Sequence, residues 1–152
     1  MPRQSPALST ALSGSCAIAR CLGVFDDPWS FLLVREALLG RRTFAEFRDS
    51  LGIASDVLSA RLTKLVEAEV LTKAAYQEPG QRTREAYDLT PAGRELSAVL
   101  IAMKQWGEAH VPREAPARVD ARAHAGQTTV TSQLVDEQGH AVQPDEVSFV
   151  RR

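Results

Sequence analysis

The chain has 152 residues, 44% hydrophobic and 24% charged, enough for one ordinary domain with a real core. Its formal net charge of −1 gives no global pull toward nucleic acid, so any affinity for DNA must come from charge gathered on one face. The start, MPRQSPALSTALSG, lacks a continuous apolar core, and no run approaches the ~20 apolar residues of a membrane span, which predicts a cytoplasmic protein.

Residues 1–12 are small, polar and Pro-containing, and read as a flexible N-terminal arm. A first helix is expected from Ser13 to Leu22, ended by Gly23. It carries both cysteines, Cys16 and Cys21. Five residues apart on a helix, their side chains diverge by about 140° and cannot bridge. Asp27-Pro28 then starts a helix to Leu39, with Asp as cap and Pro in the first position. Trp29, Phe31, Leu32, Leu33, Val34, Ala37 and Leu38 make it apolar nearly all round, so it is expected to be the buried spine, with Trp29 in the core. Gly40 closes it. Arg41 and Arg42 follow, placed either to contact phosphate or to face solvent.

From Thr43 the pattern is two short helices and a hairpin. Phe44, Phe47 and Leu51 share one face, Gly52 ends the helix in a left-handed turn, and Ile53 plugs the turn. The second helix starts at Ser55, a capping residue, with Leu58, Leu62, Leu65 and Val66 as its apolar stripe. Asp56, Ser59, Ala60, Arg61, Thr63 and Lys64 fall on the other face. A helix-turn-helix lays its second helix in the major groove. Here that is residues 55–69, with Ser59 and Ala60 allowing close approach and Ser55, Arg61 and Lys64 as donors. Strands at 70–72 and 86–89 bound a wing over 71–89. Its tip, at Pro79-Gly80, carries Gln81, Arg82 and Arg84 toward phosphates or the minor groove.

Thr90-Pro91 caps a long helix to His110. Leu96, Val99, Leu100, Met103 and Trp106 form a stripe about four turns long, more than a small domain needs for its own cover, which suits a homodimer. A charged connector (111–127) precedes a β-branched stretch, TTVTSQLV, a DEQG turn and HAVQPDEVSFV, read as a terminal β-hairpin. His110, His124 and His140 without a thiolate make a poor zinc site, so no metal is expected. Gly-rich phosphate loop, HExxH, GxSxG and CxxC patterns are lacking, and no carboxylate spacing singles out an acid–base pair, so neither catalysis nor a cofactor is expected. Cys16 becomes reactive only if something lowers its pKa, as a helix N-terminus does; otherwise it is a small buried residue.

Several segments recur in a familiar order: Cys16 ahead of a helix, Trp29 with LLVREALLG at 32–40, TFAEF at 43–47, LGIASDVLSARLTKLVEAEVL at 51–71, Tyr76, YDLTPAGREL at 87–96 and Trp106-Gly107. In this order and spacing the chain from Cys16 to Trp106 resembles the HxlR-type winged-helix transcriptional regulators, relatives of the MarR group. The resemblance implies a dimeric DNA-binding repressor or activator, and allows Cys16 to sense oxidants, as the equivalent cysteine does in some relatives. One departure is Asp26-Asp27-Pro28, where the family has a Gly-rich, basic approach to its Trp.

The expected fold is thus α+β, a winged helix-turn-helix domain over 13–110 with flanking dimerisation helices and a C-terminal β-hairpin extension over 111–152. The expected function is sequence-specific binding of double-stranded DNA as a homodimer. The alternatives are a protein-interaction module, or a small-molecule or redox sensor whose unidentified effector sits between the spine helix and the tail.

Overall fold

The computed structural model describes residues 6–114 and 119–150. Among the described residues six α-helices and two strands follow in order: α1 (Pro6–Leu12), α2 (Ala17–Val24), α3 (Pro28–Leu38), α4 (Phe44–Leu51), α5 (Ser55–Glu67), β1 (Leu71–Tyr76), β2 (Arg84–Leu89) and α6 (Pro91–His110). A 3-10 turn spans Pro144–Glu146. The chain divides into two compact units, Met1–Leu96 and Ser97–Arg152, so the division falls inside α6 rather than after His110. Among the described residues no helix is long and apolar enough to cross a membrane.

The N-terminal stretch departs from expectation. Helix α1 occupies most of the expected arm, because PALSTAL has Pro at the first position and good helix formers behind it. Cys16 is not inside the next helix but at its N-cap, and Gly23 lies within α2 rather than ending it. Asp27 caps α3 as expected, accepting from the Ser30 N–H at 3.2 Å, with Pro28 behind it. The spine is buried on one side only. Leu33 and Val34 are fully covered, Trp29 is half-buried, and Leu38 and Leu39 are exposed. Phe25 and Phe31 stack at 4.4 Å where α2 turns into α3. The buried Glu36 accepts from Arg35 and from the Ser50 hydroxyl of α4.

A capping box starts α4: the Thr43 hydroxyl accepts from the Glu46 N–H while Glu46 accepts from the Thr43 N–H at 2.8 Å. Gly52 ends it at φ +63°. Ala54, not Ser55, is the N-cap of α5, so Ser55 is its first helical residue and its expected capping role does not arise. Leu58, Leu62 and Leu65 of α5 close over Phe47, Ile53 and Leu33 as the core.

The wing is a two-stranded antiparallel sheet running in register from Leu71↔Leu89 to Tyr76↔Arg84. Each strand is longer than its hydrophobic core suggested, because the outer rungs, Ala75↔Glu85 and Tyr76↔Arg84, put charged residues on β2 and so lack an apolar alternation. The Tyr87 N–H donates to the Arg42 carbonyl at 2.7 Å, and Thr43 bridges Ala86, so the chain entering α4 adds to the sheet edge. Behind the wing the Thr90 hydroxyl accepts from the Gly93 N–H at 3.0 Å and reaches the Glu69 carbonyl at 2.6 Å. Helix α6 thereby starts against the end of α5, so closely that a Cβ on Gly93 would stand 2.1 Å from the Val70 carbonyl oxygen.

Beyond α6 the terminal hairpin shrinks to one bridge, Val135↔Ala141, around the expected turn at Asp136–Gly139. A second tight turn, unexpected in the connector, bridges Arg122 to Thr129. Pro144 prevents the returning strand from extending, since it has no N–H to offer a ladder.

Candidate nucleic-acid interface

On α5 the exposed residues are Ser55, Asp56, Ser59, Ala60, Thr63 and Glu67, one contiguous arc of short or acidic side chains. The two expected cations lie outside it. Arg61 lies about 160° round the helix from Thr63. Its side chain is only 15% exposed, with Nε 2.9 Å from Asp27 Oδ2. That Nε is buried and has no hydrogen bond, so the contact is an ion pair whose N–H points past the carboxylate. Lys64 Nζ sits 2.7 Å from Asp26 Oδ2. Both side chains reach back to the α2–α3 turn. The expectation that Arg61 and Lys64 face a ligand beside Ser59 is therefore corrected: a long cation beside an apolar stripe turns to a carboxylate when one is in reach. The missed residues are Asp26 and Asp27. Their signal was present as two adjacent carboxylates immediately ahead of the spine helix. Burial alone would raise the Asp26 pKa, but the hydrogen bond from Lys64 and the charges of Lys64 and Arg61 outweigh it and hold it low.

Arg42 is likewise engaged. Its Nε and Nη2 grip the Asp88 carboxylate at 2.6 and 2.8 Å, a bidentate clasp between the approach to α4 and strand β2. The Asp88 hydrogen bond raises the Arg42 pKa, and Arg42 lowers that of Asp88 in turn. Lys73 pairs with Glu85 across the wing at 3.1 Å. That leaves Arg41, Arg82 and Arg84: all three are exposed and, among the described residues, in no ion pair. Arg82 is in the wing tip and Arg84 opens β2. A cleft of about 440 Å³ lies beside Arg84, walled by Thr43, Phe44, Ala45, Glu85 and Tyr87, where the wing meets the start of α4. The structure thus presents a small polar helix face and a wing of balanced charge that carries two arginines, Arg82 and Arg84, in no ion pair among the described residues.

Cys16 is exposed, which removes the buried alternative. The backbone N–H groups of Ala19 and then Ile18, in the first turn of α2, lower its pKa from the ordinary thiol value. Along α6, Val99, Met103 and Trp106 are exposed, while Leu96 and Leu100 are half-buried. Among the described residues no three His, Cys, Asp or Glu side chains cluster as a metal site would need.

A helix–turn–helix with its second helix open on one face and a two-stranded wing behind it defines a winged helix-turn-helix protein of the kind that regulates transcription. Within that class the chain belongs to the HxlR-like helix-turn-helix family, whose model matches residues 24–115. It is 34% identical over 108 residues to an uncharacterized HTH-type transcriptional regulator of Mycobacterium tuberculosis, covering 71% of this chain and 67% of that protein. The structure is similar to that of PA1607, described as a candidate transcription factor, with 32% identity and a TM-score of 0.79 over 94% of this chain and 99% of that one. It also resembles the redox regulator HypR in its reduced form, with 26% identity and a TM-score of 0.55 over 62% of this chain and 92% of that one.

Proposed function

We propose that this chain is a sequence-specific DNA-binding regulator that works as a homodimer, with α5 in the major groove and the wing on the backbone or minor groove. The observation that carries the reading is the open arc of α5. Ser55, Ser59, Ala60 and Thr63 are short enough for a base edge to approach, and the large side chains are turned to the other side. Sequence reading then belongs to hydroxyls and methyl groups, and attachment to Arg41, Arg82 and Arg84. The homodimer rests on α6 and α2. Val99, Met103 and Trp106, with Ile18 and Leu22, expose apolar surface on helices, and a regulator reading two half-sites needs two recognition helices. A salt titration on random duplex DNA tests the reading: affinity is expected to fall steeply with salt as counterions are released. Absence of binding at low salt would leave the winged helix as a protein-interaction module.

The wing supplies a sharper prediction. Replacing Arg82 and Arg84 together with Ala is expected to weaken binding to all sequences alike and to flatten the salt dependence by about two units of slope. An altered base preference at unchanged slope would mean that the wing reads sequence.

Redox sensing at Cys16 is the second reading, favoured by the exposed thiol at a helix N-terminus and by the similarity to HypR. Because the folded pKa is lowered, the thiolate fraction at neutral pH exceeds that of an ordinary cysteine. In Cys21→Ser protein the pH midpoint for alkylation of Cys16 is expected below that of a peptide of the same sequence. Hydrogen peroxide, which takes a thiolate to the sulfenic acid with release of hydroxide, is expected to change DNA affinity in Cys21→Ser but not in Cys16→Ser; equal midpoints, or equal responses, would remove the sensor.

A further inference from the structure

Helix α5 has two cations and two exposed carboxylates, and they do not meet. Arg61 and Lys64 reach back to Asp27 and Asp26. Asp56 and Glu67 stay on the exposed arc, which holds no cation. Asp56 lies in the first turn and, among the described residues, forms no ion pair or hydrogen bond. Ala54 is the N-cap and has no side-chain bond to offer, so Asp56 is not the cap of its helix. Around the helix axis Asp56 stands about 20° from Thr63 and about 40° from Ala60, inside the arc rather than at its rim. Glu67 ends the helix about three turns further on. The N-terminal residues of a recognition helix are the ones that meet base edges, so of the two carboxylates Asp56 is placed to do so.

We propose that Asp56 is a specificity-determining residue that reads cytosine in the major groove, its carboxylate accepting from the N4 amino group. The proposal deepens the DNA-binding reading above and rests on it. An ionised carboxylate can only accept hydrogen bonds. In the major groove guanine presents two acceptors, thymine one, and adenine an acceptor beside its donor; cytosine presents the N4 donor alone. Against the other three bases, and against phosphate, Asp56 meets lone pairs or like charge, and both cations of its own helix are turned away to Asp26 and Asp27. It therefore acts by exclusion, weakening binding wherever cytosine is not opposite it. The hydroxyls of Ser55, Ser59 and Thr63 cannot discriminate in this way, because a hydroxyl donates or accepts as the base requires.

Selection from a pool of randomised duplexes tests the proposal, with the full chain as wild type, Asp56→Asn and Asp56→Ala. The enriched site is then assayed with each base at every position. One cytosine in each half-site is expected to depend on Asp56. In Asp56→Asn, whose amide pairs with adenine N6 and N7, the preference there is expected to change to adenine. In Asp56→Ala discrimination at that position is expected to fall about tenfold or more while the other positions hold. Both variants are expected to bind random duplex more tightly than wild type and to melt close to it, which separates reading from a role in folding. An unchanged preference in Asp56→Asn, or a lowered melting temperature with the preference intact, overturns this proposal and leaves the DNA-binding reading standing. A wild type that enriches no site, or binds no duplex at low salt, overturns both.

Discussion

Gly93→Ala is expected to unfold the winged helix or cost it at least about 3 kcal/mol, the upper range for overpacking a rigid site. The added methyl carbon would stand 2.1 Å from the Val70 carbonyl oxygen and 3.0 Å from Leu89 Cδ2. The first of these is backbone and has no rotamer to yield. Relief requires α6 to move off the end of α5, which also breaks the Thr90 bond to the Glu69 carbonyl. Denaturant titration measures it; a midpoint within error of wild type would mean that α6 is not seated as described. Gly107, later on the same helix, has open space at its Cβ position, so Gly107→Ala is the control and should be neutral or mildly stabilising.

Asp27→Ala is expected to be the other severe lesion, at about 3–5 kcal/mol, the range for removing one partner of a buried pair. The residue has two jobs. It caps α3, for which about 1 kcal/mol is typical. It also faces Arg61, and both side chains are only 15% exposed, so its loss leaves a nearly buried guanidinium without the carboxylate it contacts and with only the more distant charge of Asp26. Arg61→Leu alone should cost less, and the double variant Asp27→Ala/Arg61→Leu far less than the two costs added. Strict additivity in that cycle would show the pair to be uncoupled. Arg61→Leu also separates the two roles proposed for this side chain. A structural role lowers stability and leaves base preference unchanged, whereas a base contact would change preference at unchanged stability.

The helix-turn-helix was legible because its signals are local. Thr43 and Glu46 three apart, Gly52 after Leu51, and leucines at 58, 62 and 65 each fix one boundary or one face. The orientation of Arg61 was half legible. It lies about 40° from Leu65 on the helix, at the edge of the buried stripe. A side chain there either stretches to solvent or turns inward. The deciding carboxylate is 34 positions earlier in the chain, beyond the reach of any periodicity. The clasp of Arg42 was not legible for the same reason, since its partner Asp88 comes from the far wing strand. In the extension, β-branched alternation promised two strands, but alternation measures only the wish for a covered face, and one chain offers none.

The ion pairs behind α5 bear on how such a regulator changes its target. Stability is carried by Leu58, Arg61, Leu62, Lys64 and Leu65, while the arc that meets DNA in the proposed reading is made of Ser55, Ser59, Ala60 and Thr63. The two sets share no residue. Substitutions on the exposed arc should shift stability by no more than about 0.5 kcal/mol, the usual range for surface sites. Operator preference can therefore drift, or be redesigned by saturating positions 59, 60 and 63, without the compensating core mutations that a less partitioned helix would demand.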